Sequence, residues 1–500
     1  MDKYKLTVGL EIHAELKTLT KMFCDSKNPA GKPAASNGAG DQPPNIDICP
    51  VCLGYPGTLP VVNKEAVRSI LRIGTALGGE IADYTEFDRK NYFYPDIPKG
   101  YQISQYKYPL VKGGELLGVK ITRVHLEEDT ARSLHNFQFP ISNFQSNPNE
   151  SISNENSMKI AKLKTENSLL DFNRAGVPLM ELVTEPVIKS ADEAVNFARE
   201  LQLLLKYLNV SGANMEKGEM RVEANISISK DDNKGTKVEV KNLNSFKVVE
   251  KAIKFEIARQ AEILENGGKI TQETRGWDEK REITFSQRLK ESAHDYRYFP
   301  DPDLPSYFIK EIPEFDENVL RNALPELPWQ KRERYLKEYK LKENDVEIYV
   351  REPQWGDLFE EVIEILISKN LGQKSDQDYN IIQLASNYIT SDLKTPITAR
   401  SLVEVLRMIL SGEISSRGAK DILKIIQENG GEPRAIAEGK KLMQESRREV
   451  LKNIAEEVLS LETGKEQNIN YLIGQAMKKS QGSANPVILR EVFEELVGIA

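Results

Sequence analysis

The sequence predicts an α+β protein whose first part forms a sheet and whose second part is all helical. Several segments before about residue 295 alternate apolar and polar residues, as strands with one buried face do. After a proline-rich stretch at residues 300–305 the apolar residues follow a helical period. We therefore expect an antiparallel-sheet domain with helices over residues 1–295, a helical domain over 296–400 and a helical tail over 401–500.

The first strand is predicted at residues 8–16, where apolar and polar residues alternate without exception. Its polar face carries Glu11 and His13, which lie roughly 6.5–7 Å apart if they are two residues apart in a strand. Both side chains can then approach one cation or one phosphate. A solvated outer face is the alternative, because an exposed Glu is ordinary.

Further alternating segments at residues 121–127, 220–229 and 236–241 give the predicted sheet additional polar faces. These carry Arg123, His125 and Glu127 on the first, Arg221, Glu223 and Asn225 on the second, and Lys237, Glu239 and Lys241 on the third. Strict alternation places Glu128 on the apolar side, but a strand end or a bulge there leaves either glutamate able to face the site. Several such faces together indicate a polar basin, and another predicted strand brings Glu181.

The helices are predicted from apolar spacing and from their capping residues. Asn63 suits the start of a helix over residues 63–79, and Ser190 with Glu193 forms a capping box before a second. The remaining predicted helices cover 246–266, 357–367, 399–410, 418–426 and 487–497. Residues 136–168 are rich in Asn and Ser and predict a flexible insertion.

The three cysteines predict an incomplete zinc site. Cys49 and Cys52 form a Cys-x-x-Cys, and Cys24 offers a third thiolate. A closed zinc site needs four ligands, so Asp25, Asp47 or a water would have to complete it. A metal-free cluster is the alternative.

Residues 87–105 interleave basic, aromatic and amide side chains with prolines. Lys90 can hold a phosphate by charge, and Tyr92 and Tyr94 can stack on a base. Aromatic packing at a domain corner is the alternative.

Composition excludes several classes of protein. With 500 residues, 39% hydrophobic and 29% charged, the chain has the composition of a soluble globular protein. No apolar run approaches membrane-spanning length, no signal peptide precedes the first strand, and three cysteines suit a reducing, cytoplasmic compartment. The net charge of −8 means that any nucleic acid must be bound by local basic patches.

The absence of several common motifs limits how the chain can bind ATP and which reactions it can catalyse. The sequence contains no phosphate-binding loop of the Gly-x4-Gly-Lys type and no Gly-x-Gly-x-x-Gly after a strand. It contains no Gly-x-Ser-x-Gly nucleophile elbow either. ATP would therefore be bound by the sheet basin, and hydrolysis of an amide to ammonia is not expected on this chain.

Seven motifs together resemble the B subunit of the aspartyl/glutamyl-tRNA amidotransferases over nearly the whole chain. They cover residues 8–13, 49–54, 89–96, 125–129, 173–179, 240–246 and 295–300. The resemblance implies a cradle domain with a kinase site, a helical domain and a helical tail that contacts tRNA. It also implies a heterotrimer, in which an amidase subunit supplies ammonia from glutamine and a small third subunit holds the assembly together.

The implied reaction amidates a misacylated tRNA. ATP phosphorylates the side-chain carboxylate of Glu-tRNA(Gln) or Asp-tRNA(Asn), and ammonia then displaces the phosphate; the sequence does not distinguish the two tRNAs. The resemblance assigns magnesium ligands, and with them the catalytic centre, to Glu11, His13, Glu128 and Glu181. Alternation favours Glu127 over Glu128, and we take Glu128 because alternation is least reliable at a strand end.

Other residues are assigned with the same resemblance. Lys90, Tyr92 and Tyr94, with Arg221 and Lys241, are the candidates for binding ATP and the acceptor end of tRNA. Zinc-bearing members carry a Cys-x-Cys where this chain has Cys24 and Ser26, which removes one zinc ligand. The competing hypothesis is a module that binds metal and tRNA for delivery without kinase chemistry.

Overall fold

The computed structural model describes two compact units, Met1–Leu327 and Pro328–Ala500. The described residues are 3–29, 43–134, 169–231, 233–289, 296–367, 375–461, 468–480 and 482–497. The predicted insertion at 136–168 lies outside these residues. The predicted α+β class is confirmed, since strands and helices form the first unit and helices the second.

The first unit contains all the strands of the described residues. They are β1 (Lys5–Glu15), β2 (Glu80–Ile81), β3 (Tyr84–Thr85), β4 (Asp88–Asn91), β5 (Tyr101–Ser104), β6 (Val111–Lys112), β7 (Glu115–Leu116), β8 (Val119–Glu128), β9 (Arg132–Leu134), β10 (Leu169–Asp171), β11 (Pro178–Thr184), β12 (Met220–Ser229), β13 (Val238–Leu243), β14 (Glu273–Asp278), β15 (Ile283–Leu289), β16 (Phe299–Pro300) and β17 (Tyr307–Phe308). Its helices are α1 (Lys64–Ala76), α2 (Ala191–Tyr207), α3 (Phe246–Glu265) and α4 (Glu317–Asn322), with short 3-10 turns at Ile309–Glu311 and Pro313–Phe315.

The second unit is a succession of helices. They are α5 (Pro328–Glu338), α6 (Glu343–Arg351), α7 (Pro353–Leu366), α8 (Asp376–Ser391), α9 (Ala399–Leu410), α10 (Ser416–Asn429), α11 (Pro433–Gly439), α12 (Arg448–Leu461), α13 (Ile469–Lys479) and α14 (Pro486–Val497). The last three pack around a common apolar core that includes Leu451, Leu472 and Phe493. In the part of the chain that is described, no helix is long and apolar enough to cross a membrane.

One large sheet organises the first unit, with the strand order β15-β14-β13-β12-β1-β11-β8-β6-β2 and with β7 attached to β8. The apolar side chains of β1 predicted to face inward are buried, with Val8, Ile12 and Ala14 each 0% exposed. Helix α2 packs against β1 and helix α3 against β12. The polar side chains that alternate with the buried ones are therefore left on the other face.

The sheet departs from the expected antiparallel arrangement at one place, where β13 and β14 pair in parallel. Helix α3 lies between these two strands in the chain, and a helical crossover returns the second strand in the direction of the first. Apolar and polar periodicity carries no information about strand direction, so the sequence did not reveal this crossover.

Capping residues start the helices where the sequence predicts. The Asn63 side chain accepts hydrogen bonds from the backbone N–H groups of Glu65 and Ala66 at the start of α1. The Ser190 hydroxyl accepts from Glu193 N at 3.0 Å, but the Glu193 carboxylate accepts from Lys189 N rather than from the cap residue.

Residues after 295 still belong to the first unit. Strand β16 pairs with β4 through Phe299 and Arg89, and β17 pairs with β3 through Tyr307 and Thr85. The sequence placed a boundary at 295, whereas the chain returns to the sheet domain until Leu327. The proposed division of the helical part near residue 400 stays a prediction.

Tight packing of α1 gives a test of the fold. A Cβ added at Gly74 would lie 2.5 Å from Cγ2 of Val111, whereas one added at Gly474 in α13 would meet nothing within 4 Å. We expect Gly74→Ala to lower the free energy of unfolding by about 1–3 kcal/mol through overpacking. The matched Gly474→Ala should raise stability by about 0.5–1 kcal/mol, because alanine favours helix.

Urea unfolding followed by circular dichroism measures both effects. Equal stability of Gly74→Ala and the wild-type chain would contradict the close approach of α1 to Val111.

Candidate functional site

Four neighbouring strands align a row of polar side chains on the face of the sheet opposite its apolar core. On β1, His13 lies opposite Glu181 of β11 and opposite Arg221 of β12. Glu181 lies opposite His125 of β8 in turn. Because side chains alternate, Glu11 stands on the same face two residues from His13.

His13 is surrounded by carboxylates. Its Nε2 atom lies 3.3 Å from Glu181 Oε2, 3.6 Å from Glu127 Oε1 and 3.9 Å from Glu11 Oε1. On the other side of Glu181, the same Oε2 atom lies 3.5 Å from Nε2 of His125. We call Glu11, His13, Glu127, His125 and Glu181 the carboxylate–histidine cluster.

Donor atoms of this cluster are close enough to share a cation. One ligand atom from each of Glu11, His13 and Glu181 lies within 4.8 Å of the others, and the same holds for His125, Glu127 and Glu181. Oxygen ligands suit magnesium, and histidine ligands suit manganese better. The donor set therefore fits a divalent cation.

Electrostatics in the cluster indicate an excess of buried negative charge. Burial together with Glu181 and Glu223 raises the pKa of Glu11 to about 7. Although burial opposes its charged form, the hydrogen bond to Glu181 and the charges of Glu181 and Glu127 raise the pKa of His13 to about 9. Carboxylates that repel one another in a low-dielectric site are stabilised by a cation.

The other members titrate in opposite directions. Burial lowers the pKa of His125 to about 4, so this imidazole is neutral at physiological pH. Burial also raises the pKa of Glu127. Glu181 keeps its charge: although burial opposes it, His125 and His13 hold its pKa well below the usual range. The cluster thus combines an ionised carboxylate with a neutral imidazole, both suited to bind metal.

Glu128 lies on the opposite side of β8 from this cluster. Its carboxylate pairs with the ammonium group of Lys99 and accepts a hydrogen bond from Ile103 N at 2.9 Å. It lines a small cavity with Cys52 and Gln102. Strand β8 stays in register with β11 through Glu127 and Glu128, and the irregularity lies at the other end, beside Thr184.

The strict alternation of β8 thus continues to its last residue. The expectation that Glu128 joins the cluster is corrected, because Glu127 is the residue of β8 that reaches His13.

Two of the predicted basic residues are paired with carboxylates. Lys241 Nζ lies 2.6 Å from Glu223 Oε2, and Arg221 Nη2 lies 2.8 Å from Asp129 Oδ2. Both side chains border the same polar face, but each already neutralises a neighbouring carboxylate. Their main effect is therefore to neutralise carboxylates of this face, and their charges are less available to a bound anion.

Lys90 differs from them. Its Nζ atom lies 5.3 Å from the centre of the Tyr296 ring and 5.9 Å from that of Tyr92. Burial opposes its charge, but Glu127 and then Tyr298 raise its pKa well above the ordinary value. Within the described ranges no carboxylate lies in ion-pair distance of Lys90 Nζ, so this ammonium remains able to bind an anion.

Tyrosine rings form a continuous arc beside Lys90. Neighbouring ring centres are 4.3–6.1 Å apart along the series Tyr94, Tyr92, Tyr296, Tyr298 and Tyr106. Tyr92 also donates a hydrogen bond to Gln102 Oε1 at 2.9 Å, which fixes its ring. We call these five residues the tyrosine arc.

Sequence reasoning missed part of this site. Tyr296 and Tyr298 lie in a motif that was interpreted only as a domain boundary and a point of resemblance. Arg123, whose Nη2 lies 3.2 Å from Glu181 Oε1, and His125 were recognised as a polar face but were not assigned a role. Their alternation with Glu127 was the signal that could have placed them in the cluster.

The three cysteines do come together, on a different part of the first unit. Their sulfur atoms all lie within 4.8 Å of one another. Lys21 Nζ is 3.7 Å from Cys52 Sγ, and Ser26 Oγ is 4.0 Å from the same sulfur. The hydrogen bond from Cys24 and the charge of Lys21 lower the pKa of Cys52 to about 5, although burial opposes this.

Comparison with known proteins gives matches over both units. The GatB/GatE catalytic domain family matches residues 6–312, and the GatB domain family matches residues 357–497. Curated relatives are similar over the full chain. The B subunit of the aspartyl/glutamyl-tRNA(Asn/Gln) amidotransferase of Thermoanaerobacter pseudethanolicus is 39% identical over 523 residues, covering 99% of each chain.

Other relatives with the same name agree. The protein of Persephonella marina is 39% identical over 517 residues, covering 99% of this chain and all of its own, and that of Crocosphaera subtropica is 38% identical over 531 residues, covering 99% and 98%. Matches of this extent and identity confirm the family that the seven sequence motifs indicated. The chain therefore belongs to the family of aspartyl/glutamyl-tRNA(Asn/Gln) amidotransferase B subunits.

Proposed function

We propose that this chain is the tRNA-binding, carboxylate-activating subunit of a glutamine-dependent ligase that forms Gln-tRNA(Gln) or Asn-tRNA(Asn). Its relatives are named as the B subunit of such an amidotransferase. The observation that carries the proposal is the grouping of Glu11, His13, Glu127 and Glu181 on one polar sheet face. The ammonium of Lys90 interacts electrostatically with Glu127 and Glu181 of this group.

Amidation needs activation because a carboxylate has no good leaving group. In the proposed reaction a carboxylate oxygen of the aminoacyl group takes the γ-phosphoryl group of ATP and ADP leaves. Ammonia then attacks the carbonyl carbon of the acyl phosphate, and inorganic phosphate departs. Phosphoryl transfer of this kind depends mainly on alignment and on neutralising the charge of the phosphate oxygens.

The residues of this chain divide those tasks. Glu11, His13, Glu127 and Glu181 would hold a divalent cation, which supplies charge neutralisation to the phosphates when bound. Lys90 binds a phosphate oxygen through an ammonium group whose raised pKa keeps it charged. The neutral imidazole of His125 adds a further donor atom next to Glu181.

The proposal takes the ammonia from a partner, which agrees with the lack of a Gly-x-Ser-x-Gly nucleophile elbow in the sequence and with the grouping of its three cysteines in one separate cluster. An amidase subunit would supply it, in a heterotrimer that a small third subunit completes. The helical tail from residue 401 onward would contact the body of the tRNA.

Charged tRNA should stimulate ATP use by the assembled amidotransferase. We expect ADP formation to rise at least about tenfold when Glu-tRNA(Gln) or Asp-tRNA(Asn) is added, because the aminoacyl carboxylate is the phosphoryl acceptor. Uncharged tRNA is the control and should have little effect. ADP formation independent of charged tRNA would favour the delivery module without kinase chemistry, for which tRNA binding alone is expected.

A pair of adjacent carboxylates tests the cation site. Glu127→Gln removes one charged ligand and should weaken the binding of Mn²⁺ roughly 10- to 100-fold. Calorimetric titration of the chain with Mn²⁺ measures this affinity. The matched Glu128→Gln should keep its affinity for Mn²⁺, because Glu128 pairs with Lys99 on the other side of β8. Loss of affinity in Glu128→Gln with none in Glu127→Gln would reverse the assignment.

We also propose that Cys24, Cys49 and Cys52 bind zinc through three thiolates. Their sulfur atoms are close enough to share one cation, and the ammonium of Lys21 beside Cys52 balances the remaining negative charge. No carboxylate of the described residues lies within the same distance of all three sulfur atoms, which favours a water over Asp25 or Asp47 as the fourth ligand. A water would take the fourth position, since Ser26 stands where zinc-bearing members of the family have a cysteine.

Ser26→Cys should complete that zinc site. With a fourth thiolate available near Cys52, the variant should retain zinc at chelator concentrations about tenfold above those that strip the wild-type chain. Elemental analysis before and after dialysis against the chelator measures this, with Cys52→Ser as the control that loses zinc. Less than about a tenth of an equivalent in both the wild-type chain and Ser26→Cys would remove zinc from the description.

A further inference from the structure

We propose that Tyr106, stacked on Tyr298 at one end of the tyrosine arc, is a platform for an adenine base. The proposal rests on the proposed function and deepens it, because ATP and the 3′-terminal nucleotide of tRNA both carry adenine. Both would have to approach the carboxylate–histidine cluster during phosphoryl transfer. The structure offers four observations in support.

The first is the geometry of the ring pair. The Tyr106 and Tyr298 rings lie 4.3 Å apart with an angle of 11° between their planes, whereas the other neighbouring rings of the tyrosine arc meet at 63–77°. Parallel stacking is the arrangement that a planar base continues. Tyr106 is nevertheless 53% exposed, so its ring is accessible beyond the contact with Tyr298.

The second observation is that the platform is held rigidly. Tyr106 N donates a hydrogen bond to Asp88 Oδ2 at 2.9 Å, and Asp88 is only 3% exposed. Asp88 lies two residues before Lys90 in β4. The backbone of Tyr106 is thereby anchored to strand β4, and a preorganised binding residue loses less conformational entropy when its ligand binds.

The third observation concerns the partner ring. Asn91 holds the segment of Tyr298 by three hydrogen bonds: its backbone N donates to Tyr296 O at 2.9 Å, and its side chain donates to Tyr296 O at 3.3 Å and to Arg297 O at 2.9 Å. Arg297 has a φ of 45°, a conformation that residues other than glycine rarely adopt. The unusual backbone of Arg297 is therefore held in place between Tyr296 and Tyr298, and strained backbone of this kind is concentrated at ligand-binding segments.

The fourth observation is position. Tyr298 continues through Tyr296 to Lys90, whose ammonium lies 5.3 Å from the Tyr296 ring. The platform therefore lies at one end of the tyrosine arc, and the middle of the arc borders Lys90, the proposed phosphate-binding residue. A nucleotide with its base on Tyr106 would direct its phosphates along the tyrosine arc toward Lys90.

Binding measurements on the assembled amidotransferase test the platform. Replacing the ring in Tyr106→Leu should lower affinity for an adenine ligand roughly 5- to 100-fold, the range measured when one base loses an aromatic stacking partner. Tyr106→Phe keeps the ring and should bind within about twofold of the wild-type protein. Mn²⁺ titration of each variant checks that the neighbouring cluster is intact.

Two ligands distinguish the source of the adenine. Weaker ATP binding in Tyr106→Leu, with unchanged binding of tRNA, assigns the platform to ATP. Weaker binding of tRNA in Tyr106→Leu assigns the platform to the acceptor end, provided that removing the terminal adenosine from the tRNA weakens its binding to the wild-type protein in the same way. Unchanged affinity for both ligands, or an equal loss in Tyr106→Phe, overturns the proposal. Since these are binding measurements, a failure of tRNA-stimulated ADP formation in the wild-type protein would instead count against the proposed function.

Discussion

The carboxylate of Glu181 lies between two histidines, and the rest of the site depends on this arrangement. Its Oε2 atom is 3.3 Å from His13 and 3.5 Å from His125, which belong to the strands on either side of its own. Only a fixed antiparallel register of β1, β11 and β8 brings the three side chains level. A slip of one residue would turn all of them to the opposite face.

Buried negative charge explains why the surroundings of this row are basic and aromatic. Arg221 and Lys241 each neutralise a carboxylate at the border of the face. Lys90 lies beside the rings of Tyr92 and Tyr296, and among the described residues no carboxylate is in ion-pair distance of its ammonium. We propose that a cation binds among the carboxylates of this face and an anion beside Lys90, which is the combination that a nucleotide phosphate with a metal ion provides.

Alternation along single strands was a sound guide to this site. It grouped Glu11 with His13, it grouped Arg123, His125 and Glu127, and it placed Glu128 on the other side. The expectation that Glu128 faces His13 fails because the alternation of β8 extends to the end of the strand. The strand keeps its register there because Leu179 and Pro178 of β11 pair with Glu127 and Glu128 without a bulge.

Contacts between segments that are distant in the chain leave no comparable pattern in the sequence. The parallel pairing of β13 with β14 and the return of residues 299–308 to the sheet domain both depend on contacts between distant parts of the chain. Tyr296 and Tyr298 could not be connected with Lys90 for the same reason, because about two hundred residues separate them in the chain. Periodicity reports which face of an element is buried, but it does not report which elements become neighbours.

The sequence by itself determined the α+β class, the long strands of the polar face and the helices packed against them, the family and most of the residues of the polar face, but not the short strands β4, β5 and β16 beside Lys90. These follow from local rules, since side-chain alternation, capping and motif spacing are properties of short segments. Only the tertiary structure decided that Glu127 rather than Glu128 joins His13, that the three thiols meet beside Lys21, and that the tyrosine arc lies beside Lys90. Those outcomes depend on strand register and on the packing of separate segments, which are fixed when the whole chain folds.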